Sequence, residues 1–263
     1  MSAVSTPTTG VSPRTLVTIA TYNEIDNLPR LVDEVMNTVP GADVLVIDDN
    51  SPDGTGDWCD ERAAADPRLH CLHRAGKQGL GTAIIAGIRY GIAQGYDHVL
   101  NMDADYSHHP RYIPALIAGM QDDGGPGHDV MIGSRYVPGG GIEGWPFMRH
   151  LMSRTVNLYA RVLLGLPCQD CSGAFRCYRT EVLRRLDLDS VRSRGYSFQE
   201  EILWLLKRAG ARFGEAPIVF KDRERGQSKI HAGEALSALW IIFRLGVKNW
   251  LVTLRKVVPA SST

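Results

Sequence analysis

The sequence has no excess of charge of either sign, because 29 lysines and arginines are matched by 29 aspartates and glutamates. A neutral chain lacks the overall basic field that draws a protein to nucleic acid, so no nucleic-acid partner is expected. An anionic ligand must instead be bound by locally placed arginine, lysine or a metal ion.

Long apolar runs are also absent. No stretch of about 18 apolar residues occurs, so a membrane-spanning helix is not expected. Residues 1–14 are rich in Ser, Thr, Pro and Gly, show no secretory signal and are predicted to form a disordered tail. Cysteine is scarce, and its odd count of 5 does not indicate a disulfide framework. Together these features predict a reducing, cytoplasmic compartment.

Common cofactor motifs are missing as well. No G-x-G-x-x-G follows the first predicted strand, which argues against a dinucleotide-binding oxidoreductase. The glycine-rich turn around Lys77 lacks the spacing of a phosphate-binding P-loop and is interpreted as a helix N-terminus with a nearby cation. Cys168 and Cys171 have C-x-x-C spacing but no second pair for zinc, so a structural or accidental role is favoured.

Short apolar runs alternate with helical patterns up to about residue 135. The predicted strands are 16–20, 44–47, 69–73, 97–102 and 129–133. This alternation predicts an α/β fold with a mostly parallel central sheet flanked by helices. Polar residues gather after each strand, at the edge where open α/β sheets bind ligands.

The second half of the chain is less regular. A glycine-rich loop (138–144) precedes a helix at about 148–164, and residues 173–178 are a candidate strand. A helix at 198–208, a strand at 215–220 and a charged loop at 221–229 follow. We predict one catalytic domain, residues 15–232, and a C-terminal amphipathic helix and tail, residues 233–263.

A pair of carboxylates ends the fourth predicted strand, in Asp103-Ala104-Asp105. An isolated Asp-x-Asp is usually a solvated turn, but a position after a strong strand aims both carboxylates into one cleft. A hard divalent cation held there with open positions for phosphate oxygens would suit a nucleotide-diphosphate sugar. Asp103 and Asp105 are therefore candidate metal ligands.

Further candidates surround this pair. Asp48-Asp49 closes the second strand and either accepts hydrogen bonds from a nucleoside or forms an ordinary Asp-Asn-Ser-Pro turn. Several cationic residues of the later loops are candidate phosphate binders, the alternative being ordinary surface charge. These are Arg135, Arg149, Arg154, Arg176, Arg223, Arg225 and Lys229. The loop 222–229 is a candidate charged lid.

The motifs occur together and in a specific order. They are Ala20-Thr21-Tyr22-Asn23-Glu24, Asp48-Asp49-Asn50-Ser51-Pro52-Asp53-Gly54-Thr55, Gly76-Lys77-x-Gly79-Leu80-Gly81-Thr82-Ala83, Asp103-Ala104-Asp105-Tyr106-Ser107-His108-His109-Pro110, Gly133-Ser134-Arg135-Tyr136, Ser172-Gly173-Ala174-Phe175-Arg176 and Asp222-Arg223-x-x-Gly226-x-Ser228-Lys229. Over roughly residues 15–232 the chain resembles the dolichyl- or polyprenyl-phosphate mannosyltransferases of the family 2 glycosyltransferases, which have the GT-A fold.

The resemblance implies GDP-mannose as donor and a polyprenyl (dolichyl-type) monophosphate as acceptor. It implies that Ala20, Tyr22, Glu24, Ile47 and Asp49 hold the guanosine. It places Asp103, Ala104 and Asp105 at the sugar, the diphosphate and Mg²⁺ or Mn²⁺, with Arg135, Arg223 and Lys229 at the donor or its phosphates. Arg149 and Ser153 match acceptor-phosphate binders. Two positions depart from the family pattern: Ala20 replaces a frequent proline, and Ser107 stands where some members have a metal-binding glutamine.

The chemistry of the acceptor bears on mechanism. A phosphate monoester is already ionised at pH 7 and needs no general base, whereas a hydroxyl acceptor would need one, with Asp170 and Glu201 as candidates. We predict an inverting transfer whose catalysis rests on Asp105, Arg135, Arg149, Ser153, Arg223 and Lys229. The alternatives are a polyprenyl-phosphate glucosyltransferase using UDP-glucose and a non-catalytic nucleotide-sugar-binding protein.

Residues 235–258 form an amphipathic helical pattern, with Arg244, Lys248 and Arg255 on one side and apolar residues on a broad opposite face. Such a helix is typical of one lying in the membrane interface, which predicts a peripheral protein on the cytoplasmic face of the membrane. The alternative is packing against the catalytic domain or a partner, and the resemblance also allows a membrane subunit as anchor.

Overall fold

The computed structural model describes residues 12–121, 127–193, 195, 197–222, 239–248 and 250. The strands are β1 (Thr15–Thr21), β2 (Ala42–Asp48), β3 (Leu69–His73), β4 (His98–Asp103), β5 (Val130–Ser134), β6 (Gly141–Glu143), β7 (Arg176–Arg179), β8 (Phe213–Pro217) and β9 (Val219–Lys221). The α-helices are α1 (Leu28–Thr38), α2 (Thr55–Ala65), α3 (Leu80–Ala93), α4 (Ile113–Ala118), α5 (Phe147–Leu164), α6 (Thr180–Leu183) and α7 (Phe198–Arg208). Single 3₁₀ turns lie at Pro110–Tyr112 and Leu188–Ser190.

Seven strands form the central sheet in the order β3-β2-β1-β4-β7-β5-β8. All neighbouring pairs are parallel except those of β7, which runs antiparallel to both β4 and β5. The segment before β7 lies at the carboxyl edge of the sheet, where Asp170 binds Arg135, so the chain enters β7 from that edge and runs the opposite way. The predicted mostly parallel sheet is confirmed.

Strand side chains point alternately to two apolar layers. Val17 and Ile19 pack in one cluster with helix α1, whereas Leu16 packs on the other face with Ala83 of α3. Strands buried on both faces need apolar residues at every position, which explains the continuous runs in β1 and β2. Helix α3 approaches the sheet closely at Gly87, where a Cβ atom would lie 2.8 Å from Cδ1 of Ile47.

Two local predictions were wrong. The predicted strand 215–220 is two strands, because β8 ends at Pro217, which has no N–H for a ladder, and β9 then pairs with β6 in a separate two-stranded sheet. The predicted glycine-rich loop 138–144 contains β6 itself. This small sheet places Asp222, whose N–H donates to the carbonyl of Glu143, beside the edge of the main sheet.

Residues 239–248 and 250 are helical, in agreement with the predicted C-terminal helix over the part that the structure describes. Ile242 and Leu245 are buried in the same apolar cluster as α5 and α7. The helix therefore packs on the catalytic domain, as one of the two alternatives anticipated. Among the described residues, no helix has both the length and the apolar character needed to cross a bilayer.

Candidate active site

Three predicted donor-binding residues stand in one row across neighbouring strands. Ala20 of β1 is in register with Ile47 of β2 on one side and with Asp103 of β4 on the other. Adjacent strands are about 4.8 Å apart, so this row spans about 10 Å. Because β1, β2 and β4 are parallel, the loops that carry Tyr22, Glu24, Asp49 and Asp105 all leave the same edge.

The loops after β1 and β2 are tied to each other by side chain to backbone hydrogen bonds. The N–H of Asn23 donates to Oγ of Ser51 (2.9 Å), and that of Glu24 donates to Oγ1 of Thr55 (3.2 Å). Asp48 accepts hydrogen bonds from Oγ of Ser51 (2.5 Å) and from its N–H (3.1 Å). The Asp48 carboxylate thus forms the turn that was the alternative interpretation, and through Ser51 it is linked to the loop after β1, which carries Tyr22 and Glu24.

Asp49, the neighbouring carboxylate, is paired with a cation instead. Its Oδ1 lies 3.0 Å from Nη1 of Arg74, and both side chains are about nine-tenths buried. Burial raises the pKa of Asp49, although Arg74 acts in the opposite direction. Lys77, in the turn that follows, lies 4.9 Å from the ring centre of Tyr22. The predicted guanosine residues are therefore close to two cations that the motif match did not assign.

Asp103 is the last residue of β4, and Asp105 lies two residues beyond it in the following loop, so both are at the predicted strand end. Asp105 accepts a hydrogen bond from the N–H of Ser107 (3.0 Å), while the buried Oγ of Ser107 has no hydrogen-bond partner among the described residues. Two carboxylates and a buried hydroxyl oxygen with unused capacity are hard oxygen ligands of the kind that Mg²⁺ and Mn²⁺ prefer.

A buried imidazole supports the first carboxylate. His108 is fully buried, and burial lowers its pKa to about 4. The ring is therefore neutral, and its Nδ1, 3.5 Å from Asp103 Oδ2, accepts a hydrogen bond from the Asp103 N–H (3.4 Å) rather than forming an ion pair. It stacks on Phe175 with ring centres 5.2 Å apart. His108 positions the loop that aims Asp103 into the cleft.

Backbone strain is concentrated at the same edge. Outside glycine, the described residues with positive φ are Asn23, Asn50 and Tyr106, at 59°, 59° and 61°. Each lies in the loop after β1, β2 or β4. Asparagine tolerates this conformation, but tyrosine rarely adopts it, so the turn between Asp105 and Ser107 is held by its surroundings.

Arg135 follows β5 and forms a bidentate ion pair that sequence reasoning did not anticipate. Its Nε and Nη2 each lie 2.7 Å from an oxygen of Asp170, and Nη2 also donates to Oγ of Ser172 (2.8 Å). Burial alone would lower the pKa of Arg135, but Asp170 raises it above its usual value. The charge of Asp103 acts on the same guanidinium, so the cation is fixed beside the predicted metal site.

Arg176, a candidate phosphate binder, does not lie in a surface loop. It is fully buried in β7, where its guanidinium donates to the carbonyls of Gln199 and Cys171 at 2.7 Å each. Its role is to join the loop before β7 to the start of α7. That earlier interpretation as a loop cation is wrong for Arg176.

The two predicted acceptor residues share one face of α5. Arg149 pairs with Asp222 (2.8 Å) and lies 4.1 Å from the ring centre of Trp145. Ser153 accepts a hydrogen bond from the hydroxyl of Tyr136 (2.7 Å), the residue after Arg135. The helix is thereby joined to the predicted donor site. Arg223 and Lys229 lie outside the described residues, as does the 222–229 lid beyond Asp222.

A family model for glycosyl transferase family 2 matches residues 16–187, which contain the motifs that follow β1, β2, β4 and β5. The chain belongs to this family. The protein is therefore a glycosyltransferase, with the GT-A fold expected from its motifs.

Named relatives are similar to this glycosyltransferase over most of its length. An undecaprenyl-phosphate mannosyltransferase of Micrococcus luteus is 46% identical over 234 residues, which cover 89% of this chain and 94% of the relative. A polyprenol monophosphomannose synthase of Mycolicibacterium smegmatis is 44% identical over 246 residues, covering 93% and 91%.

Solved structures support the fold. Glucosyl-3-phosphoglycerate synthase of Mycobacterium tuberculosis, in complex with Mn²⁺, UDP and glucosyl-3-phosphoglycerate, aligns with a TM-score of 0.60 at 18% identity, covering 95% of this chain and 82% of that one. A mannosyltransferase of Pyrobaculum calidifontis in complex with GDP-Man and Mn²⁺ aligns with a TM-score of 0.53 at 15% identity, covering 95% and 76%.

The carboxylates considered as general bases in this glycosyltransferase are both engaged. Asp170 is bound to Arg135, and Glu201 accepts hydrogen bonds from the backbone N–H groups of Arg192 (3.2 Å) and Ser193 (2.8 Å). A third carboxyl, Glu200, was not considered from the sequence. It is fully buried, burial raises its pKa to about 7, and its Oε2 has no hydrogen-bond partner among the described residues.

Several supporting residues of the enzyme were missed because their partners are distant in sequence. Arg74 pairs with Asp49, and Tyr136 with Ser153. Asn157 of α5 accepts a hydrogen bond from the Cys171 N–H (2.6 Å) and donates to Ser172 (3.1 Å), which in turn contacts Arg135. No local pattern signals such contacts. The one available hint was that Asp170 is the single charged residue in the sequence between Arg161 and Arg176.

Proposed function

We propose that this glycosyltransferase transfers mannose from GDP-mannose to a polyprenyl monophosphate, with inversion at the anomeric carbon. One observation supports the proposal most: Asp103 ends β4 at the same edge of the sheet as Arg135, a buried arginine that is locked by Asp170 and acted on by the charge of Asp103. This arrangement suits a diphosphate leaving group. The names of the two relatives, which describe mannosyl transfer to undecaprenyl phosphate and synthesis of polyprenol monophosphomannose, support the sugar and the acceptor.

The donor nucleoside is proposed to bind across Ala20, Tyr22, Glu24, Ile47 and Asp49. Ala20 and Ile47 are neighbours across the sheet, and the loops carrying Tyr22 and Glu24 are cross-linked to the Asp48 turn. A pocket held by side chain to backbone hydrogen bonds needs little reorganisation on binding, which favours affinity. Arg223 and Lys229 are proposed to contact the donor phosphates.

The transfer step is a single in-line displacement. An oxygen of the acceptor phosphate attacks C1 of mannose while the bond from C1 to the GDP oxygen breaks, and the electron pair leaves with GDP. The acceptor is already ionised at neutral pH, so no proton needs to be removed. This is consistent with Asp170 and Glu201 being occupied by structural partners.

Asp103 and Asp105, with the hydroxyl of Ser107 close by, would hold Mg²⁺ or Mn²⁺, which supplies charge neutralisation for the diphosphate when bound. Arg135 contributes a fixed positive charge to the same edge. Because Asp170 holds it in one orientation, no reorganisation is needed as charge develops on the leaving group.

The acceptor phosphate is proposed to bind at Arg149 and Ser153 on α5. Arg149 is half-buried against Trp145 and paired with Asp222, so a phosphate would compete with that carboxylate for the guanidinium. Ser153 already accepts a hydrogen bond from the Tyr136 hydroxyl, which leaves the hydroxyl proton of Ser153 available to donate to a ligand. Both groups favour a dianionic ligand.

The opposite side of α5 is proposed to lie on a membrane surface. This α5 stripe consists of large apolar side chains that are 48–77% exposed, namely Phe147, Met148, Leu151, Met152, Leu158 and Val162. At about 100° per residue they cover an arc of about 140°, and Arg154 and Arg161 border it. An exposed apolar stripe bordered by basic residues is typical of a helix in the membrane interface.

The C-terminal helix extends this surface. Gly246 packs against Leu163 of α5, while Trp240, Phe243 and Trp250 remain 63%, 46% and 63% exposed. Tryptophan is favoured at the level of lipid head groups. We propose that both helices bind the cytoplasmic face of the membrane, where a lipid-linked acceptor would be presented to Arg149. A membrane subunit remains a further proposed partner.

The proposed function is tested by supplying polyprenyl phosphate and Mg²⁺ or Mn²⁺ with either GDP-mannose or UDP-glucose. We expect GDP release and a mannosyl lipid that a β-mannosidase, but not an α-mannosidase, cleaves. Asp105→Asn should abolish product, whereas Asp57→Asn, the same change at an exposed position of α2, should not.

Release of UDP but not GDP would instead identify a glucosyltransferase. An α-linked product would contradict the single displacement. Binding of either nucleotide sugar without any transfer to lipid would indicate a non-catalytic binding protein.

A further inference from the structure

A second group of metal-ligand side chains lies at the edge strand β3, away from the Asp103 site. Asp60, Cys71 and His73 each offer a ligand atom within 4.8 Å of the ligand atoms of the other two. In the sheet order, β2 and β1 separate β3 from β4, which carries Asp103. The cluster is therefore distinct from the candidate active site.

Local structure brings these side chains together. Cys71 and His73 are two residues apart on a strand, so both point to the face that α2 covers. Asp60 lies on α2, and its Oδ1 is 2.9 Å from Nε2 of His73. The thiol of buried Cys59, the residue before Asp60, lies close enough to that of Cys71 to raise its own pKa through their interaction.

The donor atoms favour zinc over the hard cations of the other site. A thiolate, an imidazole nitrogen and a carboxylate oxygen are ligands that Zn²⁺ accepts together. Cys59 lies beside Cys71 but outside this group of three, and a movement of its side chain would bring in a fourth ligand for a closed tetrahedron. Metal to ligand bonds of 2.0–2.3 Å place ligand atoms about 3.3–3.8 Å apart in such a site. The ligand atoms of Asp60, Cys71 and His73, which lie within 4.8 Å of one another, reach this range with movements of about 1 Å, and Cys59 moves in addition.

The imidazole of His73 has neighbours that could orient it for metal binding. The second nitrogen of His73, Nδ1, lies 4.0 Å from Oδ2 of the buried Asp48. Metal-bound histidines commonly direct their other nitrogen to such a carboxylate, which orients the ring. Gly56 leaves space for the ring, because a Cβ there would lie 3.3 Å from Cε1 of His73.

We propose that Asp60, Cys71 and His73, with Cys59 as fourth ligand, form a structural zinc site that fastens β3 to α2. The residue after His73 is Arg74, which pairs with Asp49. Zinc at this position would hold the base of the nucleotide-side loop without taking part in sugar transfer. The proposal does not depend on which sugar or acceptor the enzyme uses.

The test uses the full chain carrying Asp103→Asn and Asp105→Asn, so that the other site does not bind metal. The protein is reduced, stripped with chelator and titrated with Zn²⁺ against a chromophoric competitor, and separately with Co²⁺. We expect one Zn²⁺ per chain, a Co²⁺ spectrum with tetrahedral d–d and thiolate charge-transfer bands, and a higher melting temperature with zinc.

Cys71→Ser should weaken zinc binding by more than about 100-fold, and Asp60→Asn by at least about 10-fold. Asp60 is exposed, so its variant folds even where the cysteine variant does not, and Asp57→Asn on the same helix is its matched control. A Co²⁺ spectrum without thiolate charge transfer, or equal zinc affinity in Asp60→Asn and Asp57→Asn, would overturn the proposal.

Discussion

At the scale of single residues, the ion pair between Arg135 and Asp170 dominates the candidate site. Both side chains are buried, and the carboxylate also accepts the backbone N–H groups of Arg135 and Gly173 (3.1 and 3.0 Å). Its pKa is lowered despite its burial, because Arg135 outweighs desolvation. A carboxylate held in this way positions a cation and is poorly suited to accept a proton.

Removing the negative charge of Asp170 should therefore destabilise the fold as well as the site. We expect Asp170→Asn to lower the free energy of unfolding by about 3–5 kcal/mol, since it leaves a buried guanidinium without a counter-charge. Ser172→Ala, which removes one hydrogen bond to the same guanidinium, should cost about 1 kcal/mol. Urea denaturation measures both. A variant that folds as stably as the parent yet makes no product would identify Asp170 as a general base instead.

The raised pKa of Glu200 predicts that the stability of the fold depends on pH. Its pKa of about 7 in the folded protein exceeds its usual value of 4.5, so the native state binds more protons between these values. The free energy of unfolding should fall as pH rises through this window, by up to about 3 kcal/mol at pH 8.

Replacing Glu200 with glutamine should remove this fall in the free energy of unfolding at high pH. Glu200→Gln should match the parent near pH 4.5 and be more stable at pH 8, when urea denaturation is measured at both values. Glu61→Gln, at an exposed position of α2, is the control and should leave the difference near zero throughout. A Glu200→Gln effect that is constant with pH would contradict the raised pKa.

At the scale of elements, α5 joins two surfaces with different chemistry. One face carries Arg149, Ser153 and the buried Asn157, which is hydrogen-bonded to Cys171 and Ser172. The opposite face is the exposed α5 stripe. If the stripe binds a membrane as proposed, α5 would fix the distance from that surface to the candidate acceptor site, because an α-helix is rigid over this length.

Charges placed in the α5 stripe should therefore reduce membrane binding. Leu158→Glu with Val162→Glu changes side chains that are 60% and 71% exposed, so the fold should be retained. We expect at least about a 10-fold loss of partition onto anionic vesicles in flotation, since each change removes apolar contact with lipid. Ala64→Glu with Ala65→Glu on α2 adds the same charges elsewhere and should bind like the parent. Equal flotation of the two double variants would exclude the stripe.

Lipid binding by the C-terminal helix is best tested with point substitutions rather than with a truncated chain. Ile242 and Leu245 are buried beside α5 and α7, so a chain ending near residue 232 would expose core as well as lose the helix. Trp240→Ser with Trp250→Ser removes two exposed aromatic side chains without touching those contacts. This double variant therefore tests the role of the helix in lipid binding separately from its role in packing on the catalytic domain.

At the scale of the whole molecule, the carboxyl edge collects Asp48, Asp49, Asp103 and Asp105 from two strands separated by β1. A cation and a nucleotide diphosphate that bind there together stabilise only the folded state. At ligand concentrations 100 times Kd, the gain is about 2.7 kcal/mol.

We therefore expect GDP with Mn²⁺ to raise the melting temperature by more than the sum of the two separate effects. Asp103→Asn should remove this excess, and chelation by EDTA should return the protein with GDP to its metal-free melting temperature. Differential scanning fluorimetry measures these shifts. A GDP effect that is independent of Mn²⁺ would place the metal away from the diphosphate.

The strand-end motifs were predictable because each is local. β3 and α7 were placed correctly, and the alternation through residue 135 predicted the parallel sheet, since periodicity of apolar residues reports which faces are buried. The split at Pro217 was missed because the prediction treated 215–220 as one strand, although a proline within it is a local signal of a strand end. The two different partner strands of β8 and β9 show the division.

The sequence by itself determined the family, the three strand ends that carry the donor-binding candidates and the carboxylate pair at Asp103 and Asp105, because these depend on short-range patterns. Tertiary structure alone decided that β7 runs antiparallel, that Asp170 locks Arg135, and that Cys71 and His73 face Asp60. Such contacts join residues that are distant in sequence and meet only when the elements pack. The spacing of neighbouring residues therefore does not predict them.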